Sequence, residues 1–143
     1  MTTTFAAAHA TSTASADRFF EIWADMATWP EWNADTEWVR LDGPFQTGAT
    51  GELKPKGGPK VKFTVASMVP GVEFVDVSHL MGARLTFDHQ VAVAAGGTSV
   101  AVSVSFTGSM AWLWKRVIGG GIKSSLQRDL DALVARAEAQ ARV

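Results

Sequence analysis

Asp76 and His89 are the residues of this chain whose types and spacing suggest chemistry. They lie in two successive runs, 72–80 and 84–94, joined by Met81-Gly82-Ala83. If Leu80 pairs with Leu85 across that turn, Ser78 faces Phe87, Asp76 faces His89 and Phe74 faces Val91. Residues directly opposite on antiparallel strands touch, so this register sets a carboxylate beside an imidazole on an apolar wall. The carboxylate would fix the tautomer of the ring and raise its basicity. Such a pair can take a proton from a carbonyl compound or give one to it. The plainer reading is a hydrogen-bonded pair that only orders the wall. Both readings depend on register, since a one-residue slip would separate the two side chains.

No other constellation is as pointed. His9, His79 and His89 are too scattered for a metal cluster. His79 alternates with Ser78 and reads as outward; His9 could reach inward from a first strand but has no evident partner. Arg84 and Asp88 fall on the solvent face of their strand. Lys54, Lys56, Lys60 and Lys62 surround a Gly-Gly-Pro turn. They suit an acidic group, but lysines at a hairpin more often keep a sheet edge from pairing. Neither Gly57-Gly58 nor Gly119 to Gly121 has the strand-turn-helix context of a phosphate loop. Trp29 and Trp32 read either as a ligand gate or as a packing plug. Of Trp112 and Trp114, one should pack inward and one face a cavity or the surface.

The elements that must position these residues follow from periodicity. Residues 3–11 read as a strand with Phe5, Ala7 and His9 on one face. Ser15 caps a helix from Ala16 to about Met26, with Phe19, Trp23 and Met26 sharing a side. Pro30 suits the first turn of a second, short helix. From Glu37 onward the chain reads as strands at 37–41, 50–54, 61–66, 72–80, 84–94 and 98–107. Short Gly- and Pro-bearing turns separate most of them. Strands joined in this way form an antiparallel meander with one face to cover.

The cover is the C-terminal stretch, which reads as one helix from a Ser109 cap to about Arg142. Leu113, Val117, Ile122, Leu126, Leu130, Leu133 and Ala137 form its apolar stripe. Each glycine of Gly119-Gly120-Gly121 costs roughly 1 kcal/mol relative to alanine inside a helix. The tract therefore marks either a kink or a break into two helices, or a place where side-chain volume is left out.

Composition narrows the function classes. The chain has 143 residues, 47% hydrophobic and 19% charged, with net charge -1. That supports one domain, 1–143, and offers no electrostatic footprint for nucleic acid. Cysteine and tyrosine are absent, which excludes disulfides, thiolate catalysis and a phenolic acid. No membrane span and no secretory leader is read from the sequence, so a cytoplasmic protein is expected.

Trp23-Ala-Asp25, Thr28-Trp-Pro-Glu-Trp-Asn33, Leu41-Asp-Gly-Pro-Phe45, Gly48-Ala-Thr-Gly51 and Gly97-Thr98 carry a resemblance. Taken together, the chain resembles the SRPBCC (START/Bet v 1-like) superfamily, in its polyketide cyclase/dehydrase-type branch. The resemblance implies an α+β helix-grip fold. In that fold a curved seven-stranded antiparallel sheet wraps around the long C-terminal helix, and two short helices follow the first strand. It also implies a cavity for an apolar small molecule such as a lipid or polyketide. Lining residues expected from the short helices are Trp23, Met26, Trp29 and Trp32. The strands would add Phe63, Val65, Phe74, Phe87, His89, Val91, Val102 and Val104, and the long helix Leu113, Val117, Gly120 and Gly121. Binding without chemistry is the leading expectation. A cyclase or dehydrase using Asp76 and His89 is the alternative, and a protein-partner module a third. No cofactor or metal is expected, and the expected partner is an apolar ligand, with neither nucleic acid nor a membrane span, and with a homodimer left open.

Overall fold

The structure, a computed structural model, describes residues 4–141. Thr3 and Arg142, expected at the ends of the first strand and the last helix, lie outside the described residues.

Seven strands make one antiparallel sheet in the order β1-β7-β6-β5-β4-β3-β2. They are β1 (Ala6–Ser12), β2 (Thr36–Asp42), β3 (Thr50–Pro55), β4 (Val61–Val69), β5 (Glu73–Leu80), β6 (Ala83–Ala94) and β7 (Gly97–Thr107). Strands β2 to β7 are the expected meander, and β1 joins the free edge of β7. This is the helix-grip architecture. Alternation sets the inner face. One row runs Val65, Asp76, Phe87, Val104 across β4 to β7, and the next runs Phe63, Ser78, Leu85, Phe106. Between Val65 and Ser67 the β4–β5 register slips around Ala66; such a bulge bends a strand and sharpens its twist.

Strand β1 has the opposite facing to that expected. Ala6 and Ala8 are buried, whereas Ala7 and His9 are exposed. A run of small residues carries little hydrophobic contrast, so pairing decides. Ala6 lies opposite Val104 and Ala8 opposite Val102, and both valines face the core. His9 instead reaches Ser99 Oγ at 2.8 Å on the outer side.

Helix α1 (Ala16–Ala24) starts after Ser15, whose extended backbone suits a cap although its side chain makes no capping bond. It buries Phe19, Phe20, Ile22 and Trp23. The helix stops short of Met26, because the chain tightens into a 3-10 helix, Met26–Glu31, with Pro30 inside it. Trp29 Nε1 donates to the Trp23 carbonyl at 3.2 Å and locks the two helices together.

The C-terminal helix differs from expectation in three ways. It has a short α-helical turn, α2 (Ala111–Trp114), then a π-helical turn, Lys115–Gly119, then α3 (Gly120–Ala141). First, Ser109 is not the cap; Met110 holds that position, with its N–H bonded to the Gly82 carbonyl at 2.9 Å. The β5–β6 hairpin thus fixes the start of the helix through the Met110 N–H. Second, the inward row is Trp114, Ile118, Ile122, Leu126, Leu130, four residues apart. Leu113 does not join the core, and Val117 is 65% exposed. A π turn takes more residues than an α turn, which keeps this row on the sheet side through the break. Third, Gly120 and Gly121 face solvent with open space around them. They leave no room toward the sheet, and the break in the helix falls just before them, at the π turn. Gly119 is the buried one: a Cβ there would stand 2.7 Å from the Phe5 ring.

Candidate functional site

The β5–β6 hairpin turns on two residues, Met81 and Gly82, with Gly82 at φ 71°. Leu80 therefore pairs with Ala83, Ser78 with Leu85, Asp76 with Phe87, and Phe74 with His89. The expected register of Asp76 opposite His89 is corrected by two residues. An even shift preserves facing, so both side chains still point to the concave side, diagonal to each other rather than opposite.

No hydrogen bond joins them. The His89 ring is stacked on Phe74, with centroids 4.9 Å apart and planes 12° apart, and Trp23 lies 5.1 Å away. His89 Nδ1 stands 2.8 Å from the Phe74 carbonyl oxygen. A carbonyl only accepts, so Nδ1 carries the proton and Nε2 presents a lone pair. Burial pulls the imidazole down to about 4, against the opposing pull of the Phe74 carbonyl and the Asp88 carboxylate. The ring is thus neutral at pH 7. Burial alone pushes the Asp76 carboxyl up to about 7. Among the described residues no side chain or backbone group hydrogen-bonds to that carboxyl, and none bonds to His89 Nε2.

Of the remaining residues expected at a site, Trp23, Met26, Trp29, Phe63, Val65, Phe74, Val91, Val102 and Val104 are buried. Val65, Phe74 and Val104 have no accessible surface at all, so they are packed solid. Asp76, Ser78, Phe87 and His89 are half-buried. Trp32 is also half-buried, and its Nε1 is a buried donor without a partner. Leu113 lies off the core, and Val117, Gly120 and Gly121 face solvent; these four helix positions do not join the others. Ile118 was missed, although it continues the four-residue spacing back from Ile122. Phe45, 5.0 Å from Phe74, was missed as well; it sits in a loop, where periodicity carries no signal. Trp112 is 63% exposed, whereas Trp114 is half-buried and donates from Nε1 to the Met81 carbonyl at 2.8 Å.

The outer face is polar. Arg40, Glu52, Lys60, Lys62, Thr64 and His79 border a groove of about 550 Å³ there. Lys60 pairs with Glu52 at 3.5 Å and Lys54 with Glu37 at 2.6 Å. His79 reaches Thr64 Oγ1 at 2.8 Å and is exposed, as its alternation implied. Among the described residues no group of three or more His, Cys, Asp or Glu side chains is placed to hold a metal ion. No helix among them is long and apolar enough to cross a membrane.

Comparison with known proteins agrees with this architecture. No curated protein is similar enough in sequence to count as a match. Among solved structures, the Zhui aromatase/cyclase from Streptomyces sp. R1128 superposes with a TM-score of 0.76 at 15% identity. That match covers 96% of this chain and 94% of the other. Ara h 8.0201 gives 0.74 at 15% identity, over 96% and 98% of the two chains. Norcoclaurine synthase from Thalictrum flavum, solved with dopamine and hydroxybenzaldehyde, gives 0.69 at 12% identity, over 94% and 86%. At such identities the likeness is one of fold. Sequence carries the assignment further, because the family described as polyketide cyclase/dehydrase and lipid transport matches residues 4–138. That match takes in all seven strands, both short helices and nearly all of the C-terminal helix, and the chain belongs to this family of the SRPBCC superfamily.

Proposed function

We propose that the chain binds an apolar small molecule between the concave face of the sheet and the C-terminal helix. The observation that carries this reading is Asp76. It sits on β5, which has paired strands on both sides, and it points inward, yet it is only half-buried and its carboxyl has no partner. An inward side chain on such a strand keeps accessible surface only where space remains on the helix side. An unpaired polar group among apolar neighbours costs free energy, and a ligand that bonds to it recovers part of that cost. The stacked rings of Phe74 and His89, with Trp23 and Phe87, supply apolar surface beside it. The test is titration with the neutral dye phenylnaphthylamine, together with native mass spectrometry of protein purified from its own host. Saturable binding with Trp quenching is expected. Absence of binding, with no co-purified compound, refutes the reading.

Acid-base catalysis on the bound molecule is the second reading, favoured by the state of the two groups. His89 offers a neutral Nε2 lone pair whose tautomer is locked from behind by the Phe74 carbonyl. Asp76 exchanges its proton near neutral pH. They do not bond to each other, so each acts on the ligand separately, one as base and one as acid. Under this reading His89→Gln keeps the fold and most of the ligand affinity but loses turnover of a carbonyl substrate by about 10²–10⁴-fold. Unchanged turnover removes His89 from the chemistry.

A further inference from the structure

We propose that this interior selects uncharged ligands that carry a hydroxyl or carbonyl at the inner end, and rejects carboxylates such as fatty acid anions. The proposal rests on the ligand-binding reading above and adds the chemistry of the head group.

The argument is one of charge placement. Every cation on the strands that form the wall alternates outward. Arg40 lies beside the inward Val39, Lys54 beside Leu53, Lys62 beside Phe63 and Arg84 beside Leu85. On the C-terminal helix Lys115, Arg116, Lys123 and Arg128 are exposed. Of the half-buried arginines, Arg18 pairs with Glu21, and Arg136 pairs with Glu31 through an Nη while its Nε is a buried donor without a partner. A carboxylate entering this space therefore finds no counter-ion on the sheet wall. It finds the Asp76 carboxyl instead, beside a His89 ring that stays neutral. At pH 8 Asp76 must take up a proton before a carboxylate can lie beside it, and with the group titrating near 7 that weakens binding by about tenfold.

A neutral head group fits both open positions. A hydroxyl donates to His89 Nε2 or to ionised Asp76, and a carbonyl accepts from protonated Asp76. Among the described residues His89 is the other titratable side chain on the concave face of the sheet. The inward residues of β4 are Phe63, Val65 and Met68, and those of β5 itself are Phe74, Ser78 and Leu80. From β6 come Leu85 and Phe87 with His89, from β7 Val102 and Val104, and from α1 Trp23. The helix presents Ile118 and Ile122. Discrimination against carboxylates should therefore follow the ionisation of Asp76.

Calorimetric titration with naphthol and with naphthoate, which share one ring system, tests this. At pH 8 naphthol should bind, and naphthoate should bind at least tenfold more weakly. At pH 5.5, where naphthoate is still ionised but Asp76 is protonated, the gap should narrow. In Asp76→Asn the gap at pH 8 should be narrower than in the wild-type protein and should no longer change between the two pH values. Equal or tighter naphthoate binding by the wild-type protein at pH 8 overturns the proposal and leaves ligand binding intact. So does a gap that Asp76→Asn does not change. Binding of neither compound, nor of phenylnaphthylamine, overturns the ligand-binding reading and this proposal with it.

Discussion

Asp76→Asn keeps the shape of the side chain and removes its charge, so it isolates the effect of burying that carboxyl. Burial raises the group from its ordinary 3.8 to about 7. Between those values the folded chain holds a proton that the unfolded chain has released. Stability therefore falls as pH rises through this window. The contribution is fully present below about pH 4 and lost through about pH 7. Roughly three pH units at 1.36 kcal/mol each amount to about 4 kcal/mol. Asparagine has no charge to acquire, so variant and wild type should be nearly equal near pH 4. By pH 8 the variant should be more stable by about 2–4 kcal/mol. His89 has the opposite sign. Its folded value is pulled from 6.5 to about 4, so its contribution is present above about pH 6.5 and lost as pH falls through about 4. Between those limits the two slopes oppose each other, and wild-type stability should be nearly flat. The Asp76→Asn protein should instead gain stability with rising pH over the same window. Urea unfolding followed by Trp fluorescence, repeated from pH 4 to pH 8, measures both curves. A stability difference between variant and wild type that does not change with pH refutes the burial argument.

The glycine tract gives a second test. Gly120→Ala and Gly121→Ala place a methyl in open space on an exposed helix and should each raise stability by about 0.5–1 kcal/mol. Gly119→Ala forces the Phe5 ring away and disturbs its edge contact with Phe106, so its melting temperature should fall below that of the other two. Equal melting temperatures for all three contradict the packing described. Thr98 Oγ1 donates to the Ala14 carbonyl at 2.7 Å in a buried setting. Thr98→Val should leave that carbonyl unsatisfied and cost about 1–3 kcal/mol in urea unfolding. Trp29→Phe removes the bond from Nε1 to the Trp23 carbonyl and should cost about 1 kcal/mol by the same assay.

Much of the fold was legible because it rests on local periodicity and turn chemistry. The alternation Val61, Phe63, Val65 and Val100, Val102, Val104, Phe106 announced half-buried strands with a defined inner face. Asp76 and His89 fell on that face in sequence and fall on it in the structure, because strand facing repeats every two residues. Leu126, Leu130, Leu133 and Ala137 announced the buried side of the last helix in the same way. The Trp-Pro-x-Trp-Asn segment carried the family resemblance.

Tertiary structure decided what local pattern leaves degenerate. Whether Leu80 pairs with Leu85 or with Ala83 depends on how tightly Met81 and Gly82 turn, and both registers bury the same face. Only the tighter turn sends His89 to the Phe74 carbonyl and leaves Asp76 without a partner. The facing of β1 was undecided among its alanines until Val102 and Val104 of a strand some ninety residues away took up the pairing. The role of the three glycines was equally hidden in one dimension. All three cost a helix the same propensity, but Phe5 presses on Gly119 alone, and the π turn before Gly120 turns the other two to water. Periodicity names the face of an element, whereas the partner across that face is set by contacts far apart in the chain.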